Sequence, residues 1–204
     1  MNSKYSFLTG IYQGQPAIVA ASGWSLRELP AAFLQRYPVF AVNAAYRYFE
    51  ENKLKKPKYL ITADDNFSLI YKKAPQLFGE KFICVRHPFI LDSFHWEEVE
   101  NYRLESTAGK IIADGTSSHA ALHIALIAEC NPIYLCGVDL SLGPDKQVYC
   151  TEEPLCQSKE VYEHGWNLMH RGFEFLSELA GRGRIFDCSP DGKLNCFPKI
   201  KPQN

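Results

Sequence analysis

The sequence predicts an α/β fold: one domain built on a mostly parallel sheet, with helices on both faces and a lid loop. Short apolar, β-rich runs alternate with amphipathic helical patterns, the signature of repeated βαβ units. The 204 residues, 46% of them hydrophobic, provide one substantial core and little more, so residues 1–204 are read as a single domain. Polar, turn-forming residues follow one strand after another, as expected where parallel strands hand over to helices.

The elements follow in order. Strands are expected at PAIVAA (16–21), PVFAVN (38–43), KYLITA (58–63), KFICVR (81–86), PIYLCG (132–137) and GRIFDC (183–188). Helices are expected near 25–36, 44–54, 66–73, 116–130 and 159–181. Ala120, Ile124, Ile127 and Ala128 give the fourth helix its buried side, and Phe173, Leu176 and Leu179 supply the core face of the fifth. Segment 86–115 is less regular, with helix in HPFILDSFHWEEVE and strand in YRLES. LSLGPDKQVYCTEEPLCQS (140–158) is a turn-rich connection of a length that usually carries function, and is read as the lid.

Composition excludes several classes. A net charge of -1 and a pI near 6.6 give no reason to expect a nucleic-acid or anionic-membrane partner. The most basic segment, ENKLKKPK (51–58), reads as a solvated helix end and loop. No apolar stretch is long enough to span a bilayer, and the N-terminus lacks the pattern of a signal peptide. Seven cysteines (84, 130, 136, 150, 156, 188 and 196) are an odd number, several inside apolar strands, which points to reduced thiols and a cytoplasmic setting. There is no CxxC pair to support a zinc site.

The strand ends carry the candidate chemistry. Ser22, Gly23 and Ser25 follow the first strand, Asn43 the second, Asp64 and Asp65 the third, and Asp139 the fifth. In an open parallel sheet these carboxyl ends lie on one edge, where ligands bind at the reversal of strand order. The same residue types also cap helices, so each has a structural reading beside the functional one. Gly137 would permit close backbone approach beside Asp139. AASGWSLREL opens a helix whose backbone N–H groups suit an anion, although it is neither GxGxxG nor a P-loop. Thr116, Ser117 and Ser118 form a second such start. His119 and His123, four apart, have the spacing of a metal pair, but no HExxH glutamate accompanies them. They therefore read as helix-surface or hydrogen-bonded histidines, and no metal site is assigned. His164, with Asn167 near the start of the last helix, is a candidate general base.

These blocks resemble a known family. AIVAASGWSLREL, VFAVNAAYRYF, TSSHAALHIAL with IYLCGVDLS, EHGWNLMHRGFEFL and IFDCSPDGKL are similar, in order and over nearly the whole chain, to the blocks of bacterial sialyltransferases of glycosyltransferase family 42. They also resemble the related motility-accessory-factor and 6-hydroxymethylpterin diphosphokinase-like proteins. The resemblance implies a Rossmann-like domain that binds an activated nucleotide donor at the strand ends under a lid. The family's first loop, Asn-Gly-Pro-Ser, is Ser22-Gly23-Trp24-Ser25 here, so glycine and serine match and the other two do not. Asn43 matches the nucleotide-contacting asparagine. Thr116 and Ser117 match the helix start, with Ser118 replacing a glycine. Tyr149 matches one of two lid tyrosines that contact the donor phosphate, and Ser141 stands in the place of the other. His164 matches the histidine that acts as base on the acceptor.

The resemblance thus implies a metal-independent glycosyltransferase, moving a sialic-acid-like sugar from a CMP-activated donor to a glycan acceptor without a cofactor. Donor-site residues would be Ser22, Gly23, Ser25, Asn43, Asp64, Thr116, Ser117, Ser118, Asp139 and Ser141, with Tyr149 and His164 catalytic. The partners expected are a nucleotide sugar and a glycan, with oligomerisation left open. One alternative is a pterin-type diphosphokinase using ATP and magnesium, with Asp64, Asp65 and Asp139 as metal ligands. Another is a nucleotide-sugar-binding module without turnover, and a third makes Asp139 purely structural, tying the lid backbone in place.

Overall fold

The computed structural model describes residues 8–63, 81–84, 116–151, 159–189 and 191–203. The expected helix at 66–73, the irregular segment 86–115, Asp64, Asp65 and residues 152–158 of the lid lie outside them.

All six expected strands form: β1 Ala17–Ala20, β2 Val39–Val42, β3 Tyr59–Thr62, β4 Lys81–Cys84, β5 Ile133–Cys136 and β6 Ile185–Asp187. Every pairing is parallel, in the order β4-β3-β2-β1-β5-β6. The chain builds outward from β1 to β4 and then returns to the other side of β1. The order therefore reverses between β1 and β5, where the crevice of such sheets lies.

Two apolar layers sandwich the sheet, so its strands are buried on both faces and read as near-continuous apolar runs. Ala17, Val19, Phe40, Val42, Ile61 and Leu135 face one layer. Ile18, Ala20, Ala41, Leu60 and Cys136 alternate into the other. The second layer is covered by a 3-10 turn (Trp24–Glu28), α1 (Ala31–Leu34) and α2 (Ala45–Glu51). The first is covered by α3 (Ser117–Ile127), which packs on β1, β2 and β3, and by α4 (Lys159–Ala180), which packs on α3.

Two expectations change here. The single helix expected near 25–36 is two short pieces, because Leu29 is extended and Pro30 has no N–H to continue the turn. α3 is buried on every side from Ser117 to Leu126, not on one face. Its histidines are consequently interior, not on the helix surface. The His119 Nε2 lies 2.9 Å from the Met169 carbonyl oxygen, and its ring meets Phe173 edge-on with centroids 4.3 Å apart. Gly172 makes this fit: a Cβ there would come within 2.2 Å of the His119 ring. His123 is 3% exposed, and burial pushes its pKa down to about 4, which keeps the imidazole neutral.

Arg184 closes the C-terminal end of α3, donating from Nη2 to the Leu126 carbonyl (3.2 Å) and from Nε to the Cys130 carbonyl (3.0 Å). The Leu126 carbonyl already accepts the Glu129 N–H at 3.0 Å, so the guanidinium adds a further bond there and a cation that complements the helix dipole.

Candidate functional site

The loops after β1 and β5 meet at the reversal of strand order with no side chain between them. The Gly23 N–H donates to the Gly137 carbonyl at 2.9 Å. A Cβ on Gly23 would sit 2.3 Å from that oxygen and 2.5 Å from Asp139 Oδ2. Gly137 has φ +67°, and a Cβ there would meet the Ala21 carbonyl at 2.4 Å. Both glycines are thus required by close backbone contact, and Gly137 also by its left-handed conformation.

Asp139 locks this contact from below. It is 3% exposed and accepts the Ser25 N–H on Oδ2 at 3.0 Å and the Ser25 hydroxyl on Oδ1. The Ser25 hydroxyl is also 2.9 Å from the Ser189 hydroxyl. A carboxylate breaks the apolar run after β5 because the 3-10 turn beginning at Trp24 has a free N–H that only a distant residue reaches. Burial raises the Asp139 pKa from 3.8 to about 6, against the opposing pull of the Ser25 hydroxyl and N–H.

A pKa raised in the folded state adds stability that is complete below the unfolded value, near 4, and is lost as pH rises through about 6. Between about pH 4 and pH 7 the wild type is expected to lose about 3 kcal/mol relative to Asp139→Asn, whose amide does not titrate. Urea unfolding of both proteins across that range checks this. Parallel stability curves would contradict it.

Above the lock lies a cleft of about 110 Å³. Its floor is Ser22, Gly23 and the Gly137–Ser141 loop, and Thr116 and Ser118 border it from the start of α3. The Thr116 side chain accepts the Ser118 N–H at 3.3 Å, capping the helix whose positive end adjoins the cleft. Such a helix start suits an anion. Ser141 is 8% exposed, and its hydroxyl has no hydrogen-bond partner among the described residues.

The described part of the lid, residues 140–151, is a strap. Tyr149 forms an antiparallel bridge with Gly23, and the Cys150 N–H donates to the Ser22 carbonyl at 2.8 Å. Trp24 supports the strap from beneath, its indole so close to Gly143 that a Cβ there would lie 2.4 Å from the ring. Tyr149 lines the cleft, with its hydroxyl 3.5 Å from that of Tyr162 on α4.

Ser22, Gly23, Thr116, Ser118, Asp139, Ser141 and Tyr149 therefore come together. The other expected residues are placed differently. Ser25 is 1% exposed and its hydroxyl is committed to Asp139, so it holds the loop instead of lining the cleft. The Ser117 hydroxyl accepts the Ala63 N–H at 2.7 Å and ties α3 to the end of β3. Asn43 is outside the cleft wall, at φ +46°, a conformation that asparagine tolerates. Its Oδ1 is nevertheless buried without a hydrogen-bond partner among the described residues.

His164 is exposed and does not line the cleft. The cleft-facing stripe of α4 is Trp166, Met169 and Phe173, with Tyr162 a turn earlier. At about 100° per residue, His164 falls roughly 160° from Trp166, on the solvent side of the same turn. Sequence reasoning missed this aromatic and methionine stripe, although its spacing was visible. Phe173 was assigned to the core, where it also belongs.

No protein-family model matches the chain, and no curated protein matches it in sequence. Among solved structures, the MAf glycosyltransferase from Magnetospirillum magneticum AMB-1 is similar over 98% of this chain and 37% of that one, with 14% identity and a TM-score of 0.55. The sialyltransferase CstII from Campylobacter jejuni, in complex with the substrate analogue cytidine-5'-monophosphate, is similar over 93% of this chain and 86% of that one, with 19% identity and a TM-score of 0.56. The chain thus spans little more than a third of the first protein and most of the second. No helix among the described residues is long and apolar enough to cross a membrane. The parallel sheet, its reversal between β1 and β5 and the helices over both faces give this chain the fold of the bacterial sialyltransferase and MAf glycosyltransferase structures.

Proposed function

We propose that the protein is a glycosyltransferase that holds a CMP-activated, sialic-acid-like donor in the cleft between the Gly23 and Gly137 loops and transfers the sugar to a glycan. The observation that carries this reading is the cleft itself: backbone at close approach, a helix start and an unpartnered serine hydroxyl at the reversal of strand order, in a chain with the fold of a CMP-complexed sialyltransferase.

In this scheme the donor phosphate lies against the α3 N-terminus, near the Thr116 and Ser118 hydroxyls. The bond from the sugar carbon to the phosphate oxygen breaks, and the acceptor oxygen forms the new glycosidic bond. Tyr149 donates its phenolic hydrogen bond to the departing phosphate, where charge develops and a positioned donor has most effect. His164, the base that the resemblance implies, accepts the proton of the acceptor hydroxyl only once α4 turns its solvent side toward the cleft. Asn43 Oδ1, an acceptor without a donor, suits a hydroxyl or amino group of the nucleoside. No cofactor enters these steps.

The exposed position of His164 and the serine at 141 favour a second reading, a module that binds the nucleotide sugar without turnover. The magnesium-dependent diphosphokinase draws less support, because Ser25 occupies both oxygens of Asp139. Incubation with a CMP-activated nonulosonate, with and without a chelator, tests the proposal. Release of CMP at equal rates in both conditions is expected. Pyrophosphoryl transfer from ATP that requires magnesium would overturn it, and CMP binding without any turnover would establish the second reading.

A further inference from the structure

The strap has a second side. Tyr149 faces the cleft, while its neighbours Cys150 and Thr151 line a separate pocket of about 620 Å³ on the flank formed by the 3-10 turn and α2. Arg27 comes from the 3-10 turn, and Arg47, Tyr48 and Glu51 come from α2, with Asn52 at its end. The volume is that of a site for a small organic ligand.

The polar groups are arranged as in a recognition site. Arg27 is held in place by donating from Nη1 to Gln147 Oε1 at 2.9 Å, which fixes it to the strap. Arg47 donates from Nε to the Tyr46 hydroxyl at 3.4 Å. Thr151 is 9% exposed, and its hydroxyl has no hydrogen-bond partner among the described residues, a deficit that a ligand would remove. Tyr48 keeps its phenolic proton, since burial raises its pKa, and so offers a donor.

Two guanidinium groups and one carboxylate leave a single net positive charge, which matches a monoanion better than a dianionic phosphate. Guanidinium groups bind carboxylates with paired, charge-assisted hydrogen bonds. Glu51, Tyr48, Asn52 and Thr151 supply the mixed donors and acceptors that sugar hydroxyls need. We propose that this pocket binds a carboxylated sugar, on the flank of the 3-10 turn and α2 and divided from the donor cleft by the strap.

The test is calorimetric titration of the protein with the methyl glycoside of N-acetylneuraminic acid, its uncharged methyl ester, galactose 6-phosphate and CMP. The acid is expected to bind at least about tenfold more tightly than the ester or the phosphate. Arg47→Gln and Arg27→Gln are each expected to weaken the acid about tenfold and to leave CMP affinity unchanged, with melting temperature confirming the fold. Equal binding of acid and ester, unchanged acid affinity in both variants, or preference for the phosphate would each overturn the proposal. Acid binding that follows the arginines in a protein with no affinity for CMP would support this pocket while removing the nucleotide reading.

Discussion

Gly23→Ala is expected to abolish measurable CMP binding and to destabilise the protein by about 2–4 kcal/mol. The added methyl would lie 2.3 Å from the Gly137 oxygen and 2.5 Å from Asp139 Oδ2, and neither neighbour is the free end of a flexible side chain. Gly137 is held by its own close contact with Ala21, and Asp139 by Ser25. Relief requires the two loops to part by about 1 Å, which breaks the Gly23–Gly137 hydrogen bond and loosens the Asp139 lock. The cleft is made by that contact, so affinity is expected to fall by about a hundredfold or more. Gly165→Ala is the control: among the described residues, no atom beyond its chain neighbours and the backbone of its own helical turns lies within 4 Å of the added Cβ. In α4 it is expected to stabilise by up to about 1 kcal/mol. Equilibrium unfolding and CMP titration of both variants check the pair.

His164→Ala is expected to lower the transfer rate by about a hundredfold or more, the usual contribution of a positioned base, while CMP affinity stays unchanged. The unchanged affinity follows from geometry, since Trp166, Met169 and Phe173 face the cleft and His164 does not. An exposed residue away from the core should also leave the melting temperature nearly unaltered. The rate should fall as pH drops through the imidazole range, because imidazolium has no lone pair for the acceptor proton. Near-normal transfer in a stable His164→Ala protein would remove the residue from the mechanism.

The legible parts of the sequence were those set by local pattern. All six strands were visible because a parallel sheet covered on both faces demands apolar runs such as AIVA and YLIT. The edge on which Gly23, Thr116, Asp139 and Tyr149 gather followed from the same reading. The residues whose placement differs from the expectation are those with partners far away in the chain. Ser25 and Ser117 carry hydroxyls that looked available, yet Asp139 and the Ala63 N–H, 114 and 54 positions distant, claim them. Nothing local announces such a bond. Asp139 had been offered as ligand contact, metal ligand or structural tie. Its hydrogen bonds to Ser25 support the structural tie, although it joins the β1 loop to the β5 loop and not the lid to the sheet. The helix expected near 25–36 failed because Pro30 outweighs the apolar pattern around it.

The central claim is that a cytidine nucleotide occupies the cleft where strand order reverses. Amide-resolved NMR during titration of the wild-type protein with CMP tests it most directly. Saturable shifts are expected at Gly23, Ser118, Gly137, Ser141 and Tyr149, with ATP causing weaker ones at equal concentration. Absence of binding would contradict it. So would shifts confined to the opposite edge of the sheet, around Arg36, Lys55 and Lys58.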